Sequence, residues 1–201
     1  MKLLLIRHGE SEADSLGVHE GRADFSLTEE GMRQAAAMAA FVSEHYEVTK
    51  IYSSPLRRAK ETAEALSFAT GVPVLFDEHL LEFNNGLLAG LPREEAAEKY
   101  PAVSDLPIHR AVYEQESVLD FRFRADWMLS EILSSAGDGD TVAIVTHGGM
   151  INQMLRSFFR LPAESDVFFR TGDTGIHELV VNGYGRAVLR LNETSHIENL
   201  G

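Results

Sequence analysis

Strands and helices alternate through most of this 201-residue chain. That alternation predicts an α/β fold, a three-layer α/β/α sandwich with a mostly parallel central sheet and helices on both faces. Two further observations support it. Leu3-Leu4-Leu5-Ile6 and Val142-Ala143-Ile144-Val145 are continuous apolar runs, as strands covered on both faces must be. Segments near 176–181 and 186–191 flank the turn Asn182-Gly183-Tyr184-Gly185 and close the chain as a strand pair.

In chain order, 3–6 is a buried strand. Residues 28–45 form a helix with Thr28 as N-cap, Glu29 and Glu30 in the first turn, and an apolar stripe of Met32, Ala36, Ala39 and Val42. A short strand at 51–53 follows. Pro55 then opens a helix over 55–69, because proline is well tolerated in a first turn, and Gly71 ends it. Residues 72–76 are a strand, 117–135 a longer helix, 141–145 the second buried strand and 149–159 a helix. Between them, 77–116 is loop-rich with a short helix near 93–99. The whole chain, 1–201, reads as one domain. Its segment at about 77–116 is a cap-like insertion over the carboxyl ends of the strands, where α/β proteins bind ligands.

Apolar residues make up 44% of the chain, ample for a core, yet no apolar run nears the roughly 20 residues that span a bilayer. The apolar stretch after Met1-Lys2 is too short for a signal peptide, so a cytoplasmic protein is expected. The absence of cysteine excludes disulfides, thiol catalysis and thiolate metal sites. A net charge of −13 repels nucleic acid and anionic membrane, so neither is an expected partner. A phosphorylated substrate would need a local cationic patch. Oligomeric state stays open, with a homodimer the alternative to a monomer.

Polar groups that follow strands supply such a patch. Arg7 and His8 follow the first strand and Arg57 and Arg58 the second. Glu82 lies beyond the strand near 72–76, and His147 follows 141–145. Arginine forks match phosphate oxygens. A neutral imidazole is a competent nucleophile toward phosphorus, and a carboxyl group can protonate a leaving alkoxide. Together these groups assemble a phosphohistidine mechanism with no cofactor. No His, Asp or Glu spacing resembles a metal-ligand set.

Arg7-His8-Gly9-Glu10-Ser11 resembles the Arg-His-Gly signature of the histidine phosphatase superfamily, which includes the cofactor-dependent phosphoglycerate mutases. Four more motifs resemble the family's, in its order. They are Gly21-Arg22-Ala23-Asp24-Phe25-Ser26-Leu27-Thr28-Glu29-Glu30-Gly31, with Ser26 for the usual proline, and Ser53-Ser54-Pro55-Leu56-Arg57-Arg58. Leu81-Glu82-Phe83-Asn84-Asn85-Gly86 and Thr146-His147-Gly148-Gly149 complete the set. The resemblance implies that His8 carries the phosphoryl group. It implies that Arg7, Arg58 and His147 bind its oxygens and that Glu82 is the proton donor. Backbone N–H groups around Glu20-Gly21 and Gly148 would line the pocket, with Arg22 and Arg93 near the substrate.

Departures from the pattern keep alternatives in play. Asp14 stands where the family usually has asparagine, so it must be protonated, turned away or paired with Arg22 or His19 if phosphate is to bind. Asn85 and Arg93 replace a tyrosine and a lysine with which the mutases grip substrate, whereas Gly86-Leu87-Leu88-Ala89-Gly90-Leu91 is closer to the mutase form. A phosphatase acting on a small phosphorylated metabolite is the expectation. A phosphoglycerate-type mutase and a weakly active phospho-ligand-binding module are its rivals. Glu10, Glu12 and Arg57 are assigned to the surface or to structure, and His45, His79, His177 and His196 to structure.

Overall fold

The computed structural model describes residues 1–198 and Leu200. Its six strands are β1 (Lys2–Arg7), β2 (Lys50–Ser53), β3 (Val74–Phe76), β4 (Thr141–Thr146), β5 (Ile176–Asn182) and β6 (Gly185–Glu193). They form one mixed sheet in the order β3-β2-β4-β1-β5-β6. The first four positions are mutually parallel, and the β5–β6 hairpin adds two antiparallel pairings. The predicted α/β fold is therefore the observed one.

The strand period of two divides β1 between two cores. Leu3 and Leu5 point to one face, with Val142 and Ile144 of β4, and are covered by α5 (Val118–Ser135) and α6 (Gly148–Phe158). Leu4 and Ile6 point to the other, with Ala143 and Val145, under α2 (Glu29–His45) and α3 (Arg57–Thr70). All four β1 residues are fully buried. Each contributes about 2 kcal/mol, so a polar residue at any of them opens one core or the other.

The boundaries differ from expectation where a loop supplies what the local sequence lacks. The helix expected to open at Pro55 opens at Arg57, because Leu56 has extended dihedrals and no capping side chain. Asp24 Oδ1 accepts the Arg57 N–H at 2.7 Å instead. The strand expected at 72–76 begins at Val74; Pro73 has no N–H to give a ladder. A short helix, α1 (Glu12–Leu16), occupies a stretch with no helical pattern of its own. Ser11 and Asp14 close its capping box and Gly17 ends it at φ 64°. The buried stripe of α2 is Ala35, Met38, Ala39 and Val42, whereas Met32 and Ala36 are exposed.

Register brings the strand ends together. Arg7 pairs with Thr146 and Ser53 with Val145, so His8, Ser54 and His147 leave the sheet side by side. Gly31 lets the loop after β1 lie on the start of α2, since a Cβ there would stand 2.0 Å from the Glu10 carbonyl oxygen. Segment 77–116 carries α4 (Arg93–Lys99) and short 3₁₀ turns at Glu78–Leu80 and Gly86–Leu88. Among the described residues no helix is long and apolar enough to cross a membrane.

Candidate active site

His8 is held on both ring nitrogens. Nδ1 lies 2.7 Å from the Gly9 carbonyl oxygen, an acceptor only, so Nδ1 carries the proton. Arg58 Nε–H donates to Nε2 at 3.2 Å, so Nε2 presents its lone pair. Burial, then Arg58, then Arg7 hold the His8 pKa well below its usual value, and the ring is neutral at neutral pH.

Arg58 projects from the first turn of α3 and is wholly buried. Its remaining nitrogens donate to Gly21 O at 2.8 Å and Ala23 O at 3.0 Å. Burial lowers its pKa, with Glu20 opposing the shift, but an arginine stays charged. Arg7, at the end of β1, reaches Asp173 at 3.1 Å and the Thr171 carbonyl oxygen at 3.2 Å.

His147 follows β4 and is fully buried, its ring centroid 5.1 Å from that of His8. Burial and Arg58 push its pKa well below the ordinary value. Its Nε2 lies 2.8 Å from Ser54 Oγ, which already accepts the Leu56 N–H. Its Nδ1 is a buried atom without a partner among the described residues. Gly148 is the first residue of α6, where a backbone N–H has no acceptor within the helix.

Glu82 arrives from the segment after β3. Its Oε2 accepts the Gly149 N–H at 2.9 Å and its Oε1 the Phe83 N–H at 2.7 Å. Gly149 is required here, because a Cβ would stand 2.4 Å from Glu82 Oε1. The structure thus gathers His8, Arg7, Arg58, His147 and Glu82 around one set of strand ends.

Other site expectations change. The strand-end side chains are closed off from solvent, His8 being 1% exposed and Arg58 and His147 0%. Backbone N–H groups are expected from Glu20-Gly21. Beside them the Glu20 carboxylate enters the site, and the Gly21 carbonyl faces Arg58. Asp14 pairs with neither Arg22 nor His19. Its Oδ2 accepts from Ser11 N at 3.1 Å, and its Oδ1 lies 4.0 Å from Arg7. Arg22 turns to Glu116 at 3.5 Å and the Glu82 carbonyl oxygen at 3.4 Å, and Arg93 is exposed at the start of α4. Arg57 pins Ser26 Oγ at 3.0 Å, so it ties down the loop at the residue replacing the family's proline.

Sequence reasoning misses Arg124. It donates to the carbonyl oxygens of His79, Leu81 and Glu82 at 2.9, 2.8 and 3.2 Å and pairs with Glu116 at 2.6 Å, so it braces the segment bearing Glu82. The available signal is an arginine between Phe121 and Met128, both on the buried stripe of α5.

A fold and site of this kind define a class, the histidine phosphatases, and comparison with known proteins agrees. The model of the histidine phosphatase superfamily (branch 1) matches residues 3–194. Phosphoserine phosphatase 1 of Hydrogenobacter thermophilus is 29% identical over 202 residues, covering 98% of this chain and 94% of that protein. The metal-independent phosphoserine phosphatase of Arabidopsis thaliana is 30% identical over 160 residues, 75% of this chain and 65% of that protein. The solved structure of a mycobacterial glucosyl-3-phosphoglycerate phosphatase with VO3 is similar at a TM-score of 0.83 and 26% identity, covering 95% of this chain and 98% of that one. The chain belongs to branch 1 of the histidine phosphatase superfamily. Within it, the chain is a phosphoric monoester hydrolase of the small-metabolite kind.

Proposed function

We propose that this enzyme hydrolyses a small phosphorylated metabolite through a phosphohistidine formed on Nε2 of His8. One observation carries the reading. Nε2 is unprotonated, because Gly9 O takes the proton on Nδ1 and Arg58 Nε–H points at Nε2. The lone pair attacks phosphorus in line as the bond to the leaving oxygen breaks, and Glu82 supplies that oxygen's proton. Arg7, Arg58 and His147 bind the equatorial oxygens, where charge accumulates. Water then attacks phosphorus and Glu82 takes its proton. The N–P bond breaks with its electrons returning to Nε2, and phosphate leaves.

The organic part of the substrate is assigned to the cap. His19 borders a cavity of about 370 Å³ with Leu88, Tyr100, Val103, Leu106 and Tyr113, room for a small and partly apolar group. Phosphoserine and glucosyl-3-phosphoglycerate, named for relatives, are the first substrates to test. Hydrolysis is favoured over mutase action because Asn85 and Arg93 supply neither of the mutases' grips. Neither the cytoplasmic setting nor a homodimer is needed for this chemistry; fractionation and sedimentation test them.

The decisive test is a rapid quench with ³²P-labelled substrate in EDTA. An acid-labile, alkali-stable label on wild type and none on His8→Ala is expected. Turnover by His8→Ala, or an alkali-labile label, would sink the mechanism. Robust interconversion of 3- and 2-phosphoglycerate with 2,3-bisphosphoglycerate would sink the choice of hydrolysis.

A further inference from the structure

The anion place of this site is already taken by a side chain of the protein. Glu20 Oε1 lies 3.2 Å from Arg58 Nε and accepts a hydrogen bond from Ser11 Oγ. Its Oε2 lies 3.9 Å from His8 Nε2. This carboxylate thus stands before the nucleophile and on its arginine, where a phosphoryl oxygen would have to sit. With it there, His8 and Arg58 are almost without solvent contact.

Resting on the phosphatase reading, we propose that Glu20 is an internal competitor of the substrate's phosphoryl group. It fills the pocket of the empty enzyme, has to be displaced for binding, and returns after hydrolysis. It therefore determines specificity, since bare oxyanions bind poorly while an ester with an organic group to contact the cap binds well.

Three features support this. The backbone around Glu20 is pinned, with Gly21 O on Arg58 at 2.8 Å, so displacement is a movement of the Glu20 side chain alone. The same loop is stitched to the cap: His19 N–H donates to Leu91 O at 2.9 Å, Gly90 N–H to His19 O at 2.7 Å, and Val18 bridges Pro92. An organic group in the cap cavity that His19 lines therefore touches the residue next to the competitor, and free phosphate does not. Last, the charges near Glu20 are mixed. Arg7 and His8 at the end of β1, Arg58 of α3 and Asp14 of α1 act on it, with His147 beyond His8. Burial raises the Glu20 pKa, with Arg58 opposing, and a protonated carboxyl holds the arginine less strongly than a carboxylate. Competition therefore weakens as pH falls.

Sulfate is a suitable probe, because it stays a dianion across the working pH range and needs no turnover. Calorimetric titration at pH 7.5 should show Glu20→Gln and Glu20→Ala binding sulfate at least about tenfold tighter than wild type, as expected when a charged hydrogen-bonded rival is removed. Asp14→Asn, which removes a nearby charge but no occupant, should gain only about two- to threefold. Circular dichroism and the urea midpoint establish that each variant is folded. Equal affinity of wild type and both Glu20 variants would overturn the proposal and leave the phosphohistidine reading intact. An equal gain from Asp14→Asn would also overturn it, because the cause would then be the general field. Absence of sulfate binding by every protein would overturn the phosphate pocket itself, and this proposal with it.

Discussion

Gly149→Ala tests the seat of Glu82 without touching the carboxylate chemically. The added Cβ would stand 2.4 Å from Glu82 Oε1 and 3.0 Å from its Cδ, a contact that forces the carboxyl group aside. It also breaks the 2.9 Å bond from the Gly149 N–H. The fold should bear this. The clash is with the far end of a flexible side chain, and the loss of about 1 kcal/mol from the hydrogen bond is partly offset by the helix propensity gained on replacing a first-turn glycine of α6. Activity should not. A positioned general acid contributes roughly 10²–10⁴ in rate, so displacement should cost roughly 100-fold, about 2.7 kcal/mol of transition-state stabilisation. The assay compares kcat/KM for phosphoserine, whose alkoxide needs a proton to leave, with p-nitrophenyl phosphate, whose phenolate does not. This constant reads only steps up to phosphoenzyme formation, so the second role of Glu82 with water does not enter. A roughly 100-fold loss for phosphoserine, a loss under about tenfold for p-nitrophenyl phosphate, and an unchanged urea midpoint are expected. Glu82→Gln should show the same pattern. Equal losses on the two substrates, or no loss, would refute the argument that Glu82 protonates the leaving group.

Stability should fall in acid through the buried histidines. His8 and His147 have pKa values well below the ordinary 6.5, and burial takes His177 to about 4. Below pH 6.5 the unfolded chain binds protons that the folded chain refuses, so stability present above that pH is lost on acidification. For His177 the gap of about 2.5 units corresponds to about 3 kcal/mol by pH 4. Urea midpoints from pH 7 to 4.5 should show this, and His177→Gln should flatten the slope; an unchanged slope would refute it. Arg58→Lys should lose the fork spanning Gly21, Ala23 and His8 and lower kcat/KM by roughly 10³; a loss within tenfold would show that the fork is not used. Asp14→Asn keeps an acceptor for Ser11 but releases Arg7, so kcat/KM should rise a few-fold. An unchanged value would mean that its charge is not felt at phosphorus.

Motifs that are local in the chain are legible from the amino-acid order alone. The runs at Leu3–Ile6 and Val142–Val145 and the residues that follow them name the strands and their reactive ends, because hydrophobic period and strand-end position are short-range properties. The start of α1 is not among them; its capping box of Ser11 and Asp14, seen in the structure, explains how the acid at the family's asparagine position is tied to α1. The opening of α3 is not legible in this way, because its cap, Asp24, lies 33 residues before Arg57.

The sheet-and-helix alternation and the identities of His8, Arg7, Arg58, Glu82 and His147 follow from residue order, because side-chain chemistry and local pattern are written residue by residue. Only the folded chain makes the two imidazoles buried and neutral and leaves Nε2 of His8 without a proton. Folding likewise sets Arg124 as the brace of Glu82 and brings the Glu20 carboxylate to 3.2 Å from Arg58 Nε. Those facts depend on desolvation and on hydrogen bonds between residues far apart in the chain, such as Ser54 with His147 and Arg58 with His8. It is the register of β1, β2 and β4 that brings such residues to one edge.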